Sequence, residues 1–167
     1  TNGIWYHFVM TINPNTIYIF LNGVVQTTLP TPSQIDNMGT NFSLGTDVRR
    51  GFAAAPNGVL DDLRIYSSAL SAAQVQSIYT QGGAPASQFR STPQPSLAWQ
   101  FDGTTTDYMQ GLNPTSTQGT PTYSSGLYGQ GYILNGTTSN VVFSGNFPTF
   151  PLTPGCTISL WWKPTSS

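Results

Sequence analysis

Charge is what this 167-residue chain has least of. Only 7% of its residues are Asp, Glu, Lys or Arg, against about a quarter in ordinary globular domains. Glutamate is missing altogether, and all six acidic residues are aspartate. The net charge is −1 and no basic run occurs, which excludes the electrostatic footprint of a nucleic-acid binder or of a protein that lies on an anionic membrane. No apolar run reaches the roughly 18 residues of a membrane-spanning helix. No basic-then-apolar signal opens the sequence as given, and any such signal is expected to have been removed or to lie outside it. The single cysteine, Cys156, excludes an internal disulfide. The single histidine, His7, would have to serve any Ser-His-Asp or Cys-His site. Solubility therefore rests on Ser, Thr, Asn, Gln and Gly, or on something attached to them.

What is present reads as short strands. Ile4–Ile12 alternates, with Tyr6, Phe8, Met10 and Ile12 on one face and Trp5, His7, Val9 and Thr11 on the other. After Pro14-Asn15, Ile17–Leu21 and Val24–Thr28 flank Asn22-Gly23, a pair that tolerates the positive φ of a type I′ hairpin. Leu60–Tyr66 predicts a further strand, with Leu63 and Ile65 facing one way and Asp62, Arg64 and Tyr66 the other. The period then changes to 3.6: Ser71 and Gln74 fit an S-x-x-Q capping box, and Leu70 and Val75 fit a hydrophobic staple. Val75, Ile78 and Tyr79 share one face of this short helix. After Tyr79 the chain turns small, polar and proline-rich, as in a linker over residues 80–95. Strands resume at Leu97, at Val141–Ser144 and at Thr157–Pro164. Cys156 falls on the face of Ile158 and Leu160, which predicts a buried structural thiol rather than a nucleophile.

The run Gly58–Tyr79 resembles the closing segment of the laminin-G-like, concanavalin A-like jelly-roll domains, where a G-x-I-D-D-V-R-I-Y strand is followed by an A-L-S-x-x-E-I-x-x-L-Y helix. Trp5, Tyr6, His7, Thr11, Tyr18, Ile19, Asn22 and Gly23 match the family's W-Y-H-x-x-x-T…Y-I-x-x-N-G pattern, and Asn41–Gly45 resembles its next strand. Leu97–Gly103 resembles the first strand of the same family. Tyr128–Gly136 is similar to its G-x-x-G-x-A-L-x-F-D-G segment, and Thr157–Pro164 to the strand ending in W-V-K-P. The resemblance implies an all-β, antiparallel jelly-roll β-sandwich with one short helix. It also places a C-terminal half (1–79) ahead of an N-terminal half (96–167). A circular permutant, a window across two consecutive repeats, and a subunit whose halves complete those of its neighbours would each give this order. The reading adopted is the last: a non-catalytic extracellular or cell-surface structural subunit that shares sandwich halves head-to-tail in a homopolymer, since a half-sandwich leaves edges and an apolar face that water does not tolerate. The alternative is a lectin-like, glycan-binding module.

The chemistry-bearing residues are few. Glycoside hydrolases of this sandwich class need a carboxylate pair reaching one sugar, and strict alternation would send Asp61 and Asp62 to opposite faces. The match of His7 to a family position without catalytic role makes it structural. Related domains hold a structural Ca²⁺ near the closing strand and opening segment, so the resemblance implies ligands from Asp61 or Asp62 with Asp107 and Asp102. Against it, Asp107-Tyr108-Met109-Gln110-Gly111 departs from the family's D-x-S-G, and Asp61 and Asp62 could instead cap turns or pair with Arg64 and Arg49. Trp161 and Trp162 point to opposite faces of one strand, so one ring is available for a sugar or a protein contact if either sheet face is open. Asn41 and Asn135 open N-glycosylation sequons, and 91–96 could carry O-glycans.

Overall fold

The computed structural model describes residues 1–31, 41–45, 56–82, 93–135, 140–144, 148 and 155–165. Most of the expected linker, Arg49 and the Thr137 end of the second sequon lie outside these residues. The chain begins with the expected meander, β1 (Tyr6–Ile12), β2 (Thr16–Leu21) and β3 (Val24–Pro30). Asn22 at φ 51° and Gly23 at φ 79° make the tight β2–β3 turn, the two positive values that a type I′ hairpin demands. β4 (Asn41–Leu44) and the long β5 (Asn57–Tyr66) follow, then helix α1 (Ala72–Gln81). The second half contributes β6 (Leu97–Trp99), β7 (Ser116–Gln118), β8 (Tyr123–Ser125), β9 (Gln130–Asn135), β10 (Asn140–Ser144) and β11 (Cys156–Pro164).

Two antiparallel sheets result. The larger runs β3-β2-β1-β11-β5-β9-β8, with β6 also on β5, and the smaller runs β4-β10-β7. β5 is the strand on which the halves meet: it pairs with β11 (Ile65↔Ile158), with β6 (Leu63↔Trp99) and with β9 (Leu60↔Tyr132). β4, from the first half, pairs with β10 from the second. Strands of the first half thus pair with strands of the second within the one chain.

Both faces of the large sheet are used. Toward the small sheet lie Leu60, Leu63, Ile65, Leu97, Trp99, Phe101, Tyr132, Leu134, Val141 and Cys156. Burying an aliphatic or aromatic side chain of this kind contributes about 1.5–3 kcal/mol. On the opposite face Val9, Phe20, Tyr66 and Leu70 pack against Val75 and Ile78 of α1. The helix starts as its sequence requires. Ser71 Oγ accepts the Gln74 N–H and Gln74 Oε1 accepts the Ser71 N–H, completing the capping box. Leu70 and Val75, the expected staple, are 5% and 0% exposed.

Candidate functional site

Asp61 and Asp62 sit on a bulge rather than on a regular strand. Between Arg64 and Asp61, β5 spends three residues against the two from Ser159 to Trp161. The extra residue is absorbed where Asp62 adopts φ 46°, a left-handed conformation that aspartate tolerates better than most residues. Leu60 and Leu63 can therefore both enter the core although three apart. The expected opposition of the two carboxylates, drawn from unbroken alternation, is replaced by a bulge that keeps both out of the core.

Each carboxylate is already committed. Arg64 donates from Nε and Nη2 to the two oxygens of Asp62, both at 2.7 Å, and both side chains are almost fully buried. Burial opposes the Arg64 charge, but the Asp62 carboxylate beside it holds the guanidinium pKa above its ordinary value. Asp61 accepts from Asp62 N (2.7 Å), Leu127 N (2.7 Å) and Tyr128 N (3.2 Å). Burial pushes its pKa up to about 7 against the pull of those donors. Asp102 accepts from Gln130 N at 2.6 Å. The 126–130 turn is thus braced from two sides. Gly126 gives Asp61 the room to do so, since a Cβ there would stand 2.6 Å from Oδ2. Asp107, 1% exposed, accepts Ala98 N and Gln110 N, both at 2.5 Å.

The residues do not fit the Ca²⁺ site that the resemblance implied. Both oxygens of Asp61, Asp62 and Asp107 accept N–H donors, Asp102 is tied through Oδ1 to Gln130 N, and no group of three or more His, Cys, Asp or Glu converges among the described residues. The turn-bracing and Arg64-pairing alternative is the arrangement present.

His7 is fully buried. Its Nε2 lies 2.8 Å from Ser159 Oγ, and its ring packs against Trp161 (4.9 Å between centroids) and Tyr79 of α1 (5.9 Å). Desolvation lowers its pKa to about 4, with the Arg64 charge acting in the same direction. Nδ1 has no hydrogen-bond partner among the described residues. Cys156 is 0% exposed, and burial raises its thiol pKa to about 11. Trp161 and Trp162 face opposite ways as expected: the first is covered by α1, and the second lines an open cleft. Asn135 is exposed at the end of β9; the Asn41 side chain lies outside the described residues.

Two of the cavities among the described residues bear on ligand binding. The first, of about 480 Å³, lies between the sheets and is lined by Tyr6, Phe8, Leu21, Leu60, Leu160 and Trp162 from the large sheet, and by Ser43, Leu44, Gly45, Pro56 and Leu134. No charged residue lines it among the described residues. The second, of about 390 Å³, is lined by Gln100, Phe101, Asp102, Thr104, Thr106, Asp107 and Tyr108. Its frame is fixed: Phe101 holds φ 57° with its side chain buried against Tyr132, Asp107 is anchored as above, and Thr106 Oγ1 donates to Asn113 Oδ1 at 2.7 Å. Tyr108 stands 50% exposed at the rim. Sequence reasoning missed this pocket because its lining, a tyrosine, an amide, two threonines and two aspartates beside Phe101, forms no motif. The Phe101-Asp102-Gly103 turn was the available signal.

The described residues form an antiparallel β-sandwich with one short helix, of the concanavalin A-like kind. A family model described as the concanavalin A-like lectin/glucanases superfamily matches residues 1–76, a little under half of the chain, the part that carries the W-Y-H strand, the hairpin, the closing strand and the start of the helix. A search of curated proteins and of solved structures found no match.

Proposed function

We propose that this protein is a non-catalytic, extracellular, carbohydrate-binding module whose site is the pocket around Tyr108. The observation that carries the reading is the chemistry of that pocket: an exposed aromatic ring beside the Asp102 carboxylate, the Gln100 amide and the Thr104 and Thr106 hydroxyls. A ring to stack on, with a few polar groups on a fixed frame, is what a sugar requires. The absence of catalysis is supported by the burial of His7 and by the commitment of Asp61 and Asp62 to backbone and guanidinium partners. The exposed Asn135 and the low charge suit a glycosylated, secreted surface. A glycan array run with and without calcium tests the reading. Binding should survive chelation, because the aspartates do not assemble a cation site, and should fall at least tenfold in Tyr108→Ala. An array that stays blank, or binding untouched by that substitution, would overturn it.

A second reading, self-association of an adhesive subunit, is favoured by the uncharged first cleft. Head-to-tail assembly into a filament by exchange of halves loses its original motive, since β5 finds β6, β9 and β11 within one chain.

A further inference from the structure

We propose that Tyr128 forms a second sugar-binding subsite beside the Tyr108 pocket, so that the ligand is an uncharged oligosaccharide whose chain passes Asp102 from one ring to the other. This rests on the carbohydrate-binding reading and names the class of glycan. The two segments that carry the rings, 100–108 and 126–130, are brought together by β5. β9 and β6 both pair with that strand and lie end to end along it, β9 on Asn57–Leu60 and β6 on Leu63–Ile65. β6 ends at Trp99 next to the place where β9 begins, so the chain leaving it meets Gln130. Asp102 Oδ1 accepts the Gln130 N–H at 2.6 Å. Gly129, at φ 65°, passes so close to the same carboxylate that a Cβ there would collide with it. Asp102 is therefore shared: it lines the pocket with Tyr108, and it touches the chain neighbour of Tyr128.

The chain has eight tyrosines, all of them described, and Tyr108 and Tyr128 alone are exposed, each by 50%. One exposed tyrosine is ordinary surface. Two that share a carboxylate, on backbone held in place, make a platform. Leu127 N and Tyr128 N donate to Asp61 Oδ2, Gly126 N closes the turn on Gly129 O at 3.0 Å, and Tyr108 N donates to Ala98 O at 2.7 Å. Rings on a fixed frame lose little freedom when a sugar stacks on them, which favours binding. Both segments lie within the continuously described residues 93–135. The charge of the site selects the glycan. No pocket residue is basic, and no Lys, Arg or His occurs from 91 to 162. Asp107 has both oxygens occupied, whereas Asp102 is exposed and tied through Oδ1, which leaves Oδ2 to accept sugar hydroxyls in charge-assisted hydrogen bonds. A uronate or a sulfated sugar would set its own negative charge against Asp102 with no cation in the pocket to offset it, and such a juxtaposition costs affinity.

A glycan array carrying neutral and acidic glycans of graded length reads the outcome for the full chain, with calorimetry for the affinities of its hits and circular dichroism to verify folding of each variant. Wild type should select neutral glycans, and affinity should rise from the shortest to the longer chains. Tyr128→Ala keeps the backbone N–H that Asp61 holds. It should weaken the longer glycans about tenfold and leave the shortest that bind unchanged, and Tyr128→Phe, which keeps the ring, should bind like wild type. Tyr108→Ala should weaken short and long glycans alike. Binding that ignores chain length, or that Tyr128→Ala leaves untouched or lowers equally at every length, would refute the second subsite while the Tyr108 pocket stands. A preference for acidic glycans would refute the ligand class. An array that stays blank would remove the carbohydrate-binding reading itself, and this proposal with it.

Discussion

Two buried titrations in this fold oppose each other. Asp61 has its pKa raised to about 7 by burial, from 3.8. Between those values the folded state holds a proton that the unfolded state has released, so stability falls as pH rises from about 4 toward 7. His7 has its pKa lowered to about 4 from 6.5. Between those values the unfolded state holds a proton that the folded state refuses, so stability rises with pH. Each contributes a slope of about 1.4 kcal/mol per pH unit with opposite sign, and between about pH 4 and 6.5 they cancel. Asp61→Asn should remove one side of the balance and His7→Gln the other. Urea unfolding across that window measures it. Wild-type stability should vary little, that of Asp61→Asn should climb with pH, and that of His7→Gln should decline. The slopes are the readout, so any loss from disturbing the His7–Trp161 stack or the 126–130 turn drops out. Variants that titrate in the same direction as each other would refute the reasoning.

Arg64→Met removes the two-pronged guanidinium partner of the buried Asp62 carboxylate and should cost about 3–5 kcal/mol at neutral pH. The loss should shrink as the pH falls and the carboxyl takes up a proton, and Asp62→Asn/Arg64→Met should recover part of it at pH 7; both are read from urea unfolding. Ser71→Ala should remove about 1 kcal/mol by opening the capping box, and adding Gln74→Ala should cost less than it does alone, because the two bonds act reciprocally; thermal unfolding of the cycle tests this.

The sequence disclosed most of this architecture because its signals were local. Asn22-Gly23 demands positive φ at both positions, Ser71 and Gln74 cap each other across three residues, and alternation in β1 placed His7 and Phe8 on opposite faces as found. What was not legible depended on partners distant in the chain. The bulge at Asp62 answers a mismatch with Ser159–Trp161, nearly a hundred residues away, and without it the alternation rule misdirects both aspartates. β7 and β8 are three-residue strands, polar but for Tyr123, too short to announce themselves and paired along the edges of β10 and β9. The carboxylates looked like cation ligands because a sequence shows their charge and not the backbone N–H groups that occupy it.

The entry to β1 and the exit from β11 are held together. Gly3 N donates to Pro164 O at 2.8 Å, and Thr165 N donates to Asn57 O at 3.2 Å. The segments leading into β1 and out of β11 therefore lie side by side at one end of the large sheet. β1 and β11 remain neighbours from Tyr6↔Trp162 through Ile12↔Cys156. A sandwich whose strand ends meet in this way is indifferent to where its chain is joined, since permutation changes the connections and not the pairings.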